Sequence, residues 1–92
     1  MQIVNFMEET VRRSLDELLN EPNYRDLDLD EKARLDVLAY ALNHLPPKYV
    51  VTERGHLFTR VEEMRQQFRT DILVALSRAI EKVRSNPQKG KN

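Results

Sequence analysis

The residues of this chain with types suited to chemistry are mostly basic. Lys48, Arg54, Arg60, Arg65 and Arg69 fall within 22 residues, with Tyr49 and Phe58 interleaved. Guanidinium forks grip phosphate oxygens bidentately and stack on planar bases, and a neighbouring aromatic ring can do the stacking as well. Arg65 and Arg69 are four apart and so share one face of a helix. The set reads as an anion site. It also reads more plainly as a solvated surface, or as arginines paired with Glu53, Glu62, Glu63 and an acidic N-terminal segment. Clustered charges are often only structural.

Catalysis draws little from the same inspection. His44 and His56 are separated by Pro46-Pro47 and lack the short spacing of histidine metal or base motifs. His44 suits the C-terminal end of a helix, where a protonated imidazole is favourable, and His56 suits a turn. Ser14, Ser77 and Ser85 have no base nearby in the sequence. Asp26, Asp28 and Asp30 alternate like a calcium loop, but no glycine follows. The twelfth position of such a loop is Val37 rather than glutamate. Cysteine is absent, which excludes disulfides, a thiolate zinc site and a thiol nucleophile. The expectation is a protein that is not an enzyme and has no metal or cofactor.

Ninety-two residues form one domain with a modest core, expected over residues 1–87, with 88–92 as a disordered tail. Hydrophobic residues at 40% and charged residues at 33% suit a soluble, largely helical chain. No apolar run approaches the roughly 20 residues that span a bilayer. The N-terminus MQIVNFMEETVRR lacks the basic and apolar regions of a signal peptide, so a cytoplasmic location is expected. The net charge of zero hides an asymmetry. Residues 1–31 hold nine acids against three arginines, and residues 32–92 hold twelve bases against six acids. An anionic ligand should prefer the second region, unless the two neutralise each other in the fold or across a dimer. Duplex DNA is disfavoured, because no basic helix or helix-turn-helix glycine turn stands out.

These residues must be positioned by a few elements. Val4, Met7, Val11, Leu15 and Leu18 follow helical spacing, with Asn5 or a neighbour as cap and an end near Asn20 before Glu21-Pro22-Asn23. A second helix starts at Asp30 and buries Leu35, Leu38, Ala41 and Leu42, widened by Val37 and Tyr40. Pro46 and Pro47 stop it, since both lack a backbone donor and the first drives Leu45 out of the α region. Lys48 to Thr52 then reads as extended, and His56 to Thr59 as a returning strand that completes a small hairpin. Its free edge suits dimerisation. The third helix has a capping box at Thr59 and Glu62 and an apolar face through Val61, Met64, Phe68, Ile72, Leu76, Ala79, Ile80 and Val83. It runs for about seven turns, a length that suits packing on a partner chain or across two shorter helices. The fold class is mainly α: three or more helices with a short extended or hairpin segment after the Pro46-Pro47 break, as a homodimer.

The stretch DVLAYALNHLPPKYV, with the upstream VNFMEETVRRSLDELL and the downstream AIEKVRSNP, resembles the late competence development ComFB family over residues 4–87. The resemblance implies a small, helical, typically dimeric protein. Cyanobacterial and related members are receptors for cyclic dinucleotides of the diguanylate and diadenylate types. By that resemblance the chain is a non-enzymatic receptor for cyclic di-GMP or cyclic di-AMP that signals to a downstream protein. Lys48, Tyr49, Thr52, Arg54, Arg60, Arg65 and Arg69 would hold the nucleotide. The alternative is a ligand-free dimeric adaptor linked to competence or motility regulation. Some members carry Cys-x-Cys-x-x-Cys ahead of the Asp-Val. This chain has Asp28, Asp30 and Ala33 there, so a structural zinc is not implied.

Overall fold

The computed structural model describes residues 1–53 and 57–85, and the side chains of all of these except 57–60. In chain order the elements are β1 (Gln2–Asn5), α1 (Phe6–Leu18), α2 (Glu31–Asn43), β2 (Tyr49–Thr52), α3 (Leu57–Gln67) and α4 (Arg69–Arg84). The chain is mainly α with one small antiparallel sheet, as its sequence pattern indicates.

The core is built on α4. Its Ile72, Leu76, Ala79 and Ile80 meet Met7, Val11 and Leu15 of α1 and Val37, Leu38 and Ala41 of α2, all buried. The loop between α1 and α2 lays Tyr24, Leu27 and Leu29 against this cluster, and the Tyr24 hydroxyl lies 3.5 Å from Ser77 Oγ. Asp30 caps α2 by accepting from the Ala33 N–H at 2.8 Å, as expected for a side-chain oxygen at that position. Lys32 pairs with Asp36 along the same helix at 3.0 Å. Leu35, expected on the buried face of α2, is instead exposed on the flank of the α1–α2 seam.

Two expectations are corrected. The long third helix is two helices, broken at Phe68, whose φ of −109° and ψ of 22° leave the helical region. No proline or glycine causes this. The backbone hydrogen bonds Phe68 N–H to Met64 and Ile72 N–H to Phe68 survive on either side, so the break redirects the axis with little loss of bonding. The redirection lets α3 pack chiefly on α1 while α4 packs chiefly on α2. Thr59 lies inside α3, so the capping box with Glu62 does not form the helix start.

The second correction concerns the hairpin. The partner of β2 is β1, not a following strand: Gln2 pairs with Thr52, Ile3 with Val51, Val4 with Val50 and Asn5 with Tyr49. Leu57, Phe58 and Thr59, read as a returning strand, are helical, and His56 lies outside the described residues. Sequence QIVN is itself β-prone, and a non-local partner close in space prevailed over a local one.

Asn5 joins the two parts of the fold. Its side-chain oxygen accepts from the Met7 N–H at 3.1 Å, capping α1, and from the Lys48 N–H at 2.9 Å. The Phe6 N–H donates back to the Lys48 carbonyl at 2.8 Å. An alanine there orphans two donors, so Asn5→Ala should lower unfolding free energy by about 2–3 kcal/mol, whereas Asn5→Asp keeps the acceptor and stays close to wild type. Urea denaturation reads both; an alanine variant within about 0.5 kcal/mol of wild type would show that the amide holds nothing together.

Candidate functional site

The sequence-predicted site residues separate in the fold. Strand alternation places Tyr49 and Val51 on one face of β2 and Val50 and Thr52 on the other. Tyr49 (65% exposed) therefore shares the outward face with Val51 (67%) and Ile3 (71%), while Thr52 turns the other way and donates its hydroxyl to the Glu53 carbonyl. Lys48 precedes the strand and sets its ammonium 5.2 Å from the centre of the Phe68 ring, a cation–π contact with the α3–α4 break. Arg54 lies outside the described residues. The backbone of Arg60 is in α3, and its side chain lies outside the described set.

Arg65 and Arg69 do come together, as helical spacing predicts. They line a groove of about 520 Å³ between the end of α1 and the α3–α4 junction, with Leu18 and Leu73 as its apolar walls. Glu17 and Glu21 line the same groove, so the two guanidiniums face two carboxylates and the field is nearly balanced.

Arg65 is tightly held, with its side chain only 17% exposed. It donates to Glu62 at 2.9 Å and to Glu17 of α1. Glu62 also pairs with Arg13 of α1 at 3.8 Å, so a four-member network staples α1 to α3. The Glu62 carboxylate holds the Arg65 guanidinium above its already high range, and Glu17 adds to this; partial burial opposes both. A clamped arginine of this kind keeps two helices in register and has little left to offer a phosphate.

Tyr49 lines a different cleft, of about 410 Å³, with Gln2 to Asn5 and the carboxylates of Glu8 and Glu9. The face it belongs to is apolar and uncovered among the described residues: Met1, Ile3, Tyr49 and Val51 all stand exposed. Sequence reasoning missed this face because it missed β1. The signal was the Gln-Ile-Val-Asn run ahead of the first helix cap. Among the described residues, no group of three or more histidine or carboxylate side chains could hold a metal ion. No helix among them is long and apolar enough to cross a membrane.

The clamp is testable by a double-mutant cycle. Arg65→Met and Glu62→Gln should each destabilise the chain, with a coupling of about 1 kcal/mol between them for a partly buried, charge-assisted pair. Strictly additive losses in urea denaturation would mean that the pair is only a surface contact.

Comparison with known proteins then places the chain. The model of the late competence development protein ComFB family matches residues 4–87. Among solved structures, the late competence protein ComFB from Bacillus subtilis is similar at 27% identity with a TM-score of 0.73, covering 94% of this chain and 92% of that one. No curated protein matches significantly. With most of its length matched by the family model and its helices and sheet shared with that structure, the chain belongs to the late competence development ComFB family.

Proposed function

We propose that the protein is a non-enzymatic cytoplasmic receptor for a cyclic dinucleotide, cyclic di-GMP or cyclic di-AMP, that acts as a homodimer and signals through a protein partner. The observation that carries this reading is the exposed Tyr49 on an unpartnered sheet face, one residue from Lys48. A cyclic dinucleotide has two bases and two phosphates related by a two-fold axis. Two copies meeting across the Ile3–Tyr49–Val51 face would present a pair of aromatic shelves. Family membership adds to the reading, since receptors of this kind occur among the relatives that the sequence resembles. Arg54, two residues beyond β2 in the sequence, is the further cation this site would use.

A second reading has its own support. Arg65 is matched to two carboxylates, and Arg69 faces Glu17 and Glu21 across the groove. An arginine neutralised as Arg65 is suits a ligand-free dimeric adaptor whose exposed sheet face binds protein, linked to competence or motility regulation.

Calorimetric titration of the protein with cyclic di-GMP and cyclic di-AMP, against a linear dinucleotide, separates the two. The receptor reading expects micromolar or tighter binding of one cyclic form, weakened about tenfold or more by Tyr49→Ala. Heat with neither ligand would leave the adaptor. Sedimentation tests the dimer separately: a charge on the apolar face, as in Val51→Lys, should convert dimer to monomer, and a wild-type chain that sediments as monomer would remove the paired shelf.

A further inference from the structure

The seam between the C-terminal end of α2 and the first half of α4 opens to solvent as a cleft of about 470 Å³. None of the residues proposed above for the nucleotide lines it. Its floor is aromatic: the Tyr40 and His44 rings stack with centroids 4.4 Å apart and planes 23° apart. His44 Nδ1 donates to the Tyr40 carbonyl oxygen at 2.8 Å, which fixes the second ring against the first. Pro46, exposed just past the end of α2, adds a third rigid ring to the lining.

The opposite side is α4. Val74, an apolar side chain left 46% exposed, borders the cleft between Asp71 and Arg78. These two stand seven residues apart in sequence, on one helical face and about 10 Å apart by helical rise. Neither has an ion pair among the described residues. The apolar lining is short, one valine and a patch of rings along two turns of α4. An amphipathic helix binds through anchors spread over several turns and would overhang it. A polyproline II segment matches the cleft better. With roughly 3 residues per turn and a rise of about 3.1 Å, it puts residues three apart on the same side, about 9 Å from each other. That is close to the span from Asp71 to Arg78.

We propose that this cleft docks a proline-rich segment of a partner protein, in polyproline II conformation, with a base and an acid flanking two prolines. The prolines lie on the Tyr40–His44 rings, against Val74 and Pro46. The base pairs with Asp71 and the acid with Arg78. A segment already held in this conformation loses little freedom on binding, which suits a contact of so small an area. Two like charges around the prolines would meet repulsion at one end of the cleft, so the ends select for mixed charge. The inference supplies a contact for the protein partner in either reading above, and it uses none of the residues of the Tyr49 shelf.

The full chain, labelled with nitrogen-15, is titrated by NMR with synthetic peptides flanked by glycine and serine. Their centres are Lys-Pro-Pro-Glu, Lys-Pro-Pro-Lys, Glu-Pro-Pro-Glu and Lys-Ala-Ala-Glu. The wild-type chain should bind the first about fivefold tighter than the other three, with amide shifts concentrated around Tyr40, His44, Val74 and Arg78. Arg78→Glu makes both ends of the cleft acidic and should turn the preference to the Lys-Pro-Pro-Lys peptide; Asp71→Lys should turn it to Glu-Pro-Pro-Glu. Thermal melts check that both variants are folded. Asp71 also favours the start of α4, so Arg78→Glu carries the test if replacing Asp71 unfolds the chain. Absence of shifts at the cleft with the Lys-Pro-Pro-Glu peptide would overturn the proposal, and shifts confined to Ile3, Tyr49 and Val51 would move peptide binding to the sheet face. Equal binding of the alanine peptide would overturn the polyproline assignment, and a preference unchanged by Arg78→Glu would overturn the charge reading. Each of these failures leaves the nucleotide titration of the Tyr49 face unaffected.

Discussion

The side-chain amide of Asn5 governs how this chain closes on itself. Two prolines at 46 and 47 offer no backbone N–H, so Lys48 carries the first donor after the break. That donor reaches Asn5, whose oxygen also caps α1. One polar atom thus sets where the first helix begins and where the chain leaving the second helix must run. The pairing of β1 with β2, the outward face of the sheet and the position of Lys48 over Phe68 all follow from it. The double proline supplies rigidity, and the amide supplies direction.

Charge plays a comparable part at the other end of α1. The surplus of acid in the first third of the sequence and of base in the remainder is partly consumed within the fold. Glu17 and Arg13 of α1 meet Arg65 and Glu62 of α3, and Asp16 meets Arg34 of α2. What looks in the sequence like a basic field open to phosphate is therefore partly the mortar between helices. The sheet face, by contrast, keeps apolar side chains exposed, and Asp71 and Arg78 of α4 have no ion pair among the described residues. Recognition in a small helical domain of this kind concentrates where packing has not already used the polar groups.

Sequence pattern was most informative where burial and capping are local. Asp30 as cap, His44 as helix end and the core spacing through Ile72, Leu76, Ala79 and Ile80 follow from periodicities of a few residues. It was least informative where a distant partner decided the outcome. Gln2 to Asn5 is too short to announce a strand without Tyr49 to Thr52 beside it, and Phe68 breaks a helix that its own residues would continue. Leu35 has the right spacing for the core, yet α1 and α4 leave that side of α2 uncovered. The site suffered from the same limit. Arg65 is legible as a surface cation, but one of its two carboxylate partners, Glu17, lies 48 residues away on α1. Tyr49 and Thr52, close in sequence, are sent to opposite faces by the pleat.

The sheet has a consequence for how the molecule breathes. It joins strands more than forty residues apart in sequence and, among the described residues, has two members and one bare face. Such a pairing carries a large loop-closure cost with little burial to offset it, while α4 is enclosed on the faces that matter. The least costly opening of the native state is therefore the peeling of β1 from β2, with the helical core left standing. Amide hydrogen exchange should reach Ile3 and Val51 well before Leu76 and Ala79; equal protection would show that the molecule opens only as a whole. A surface that opens this readily is one whose stability a bound partner can raise most.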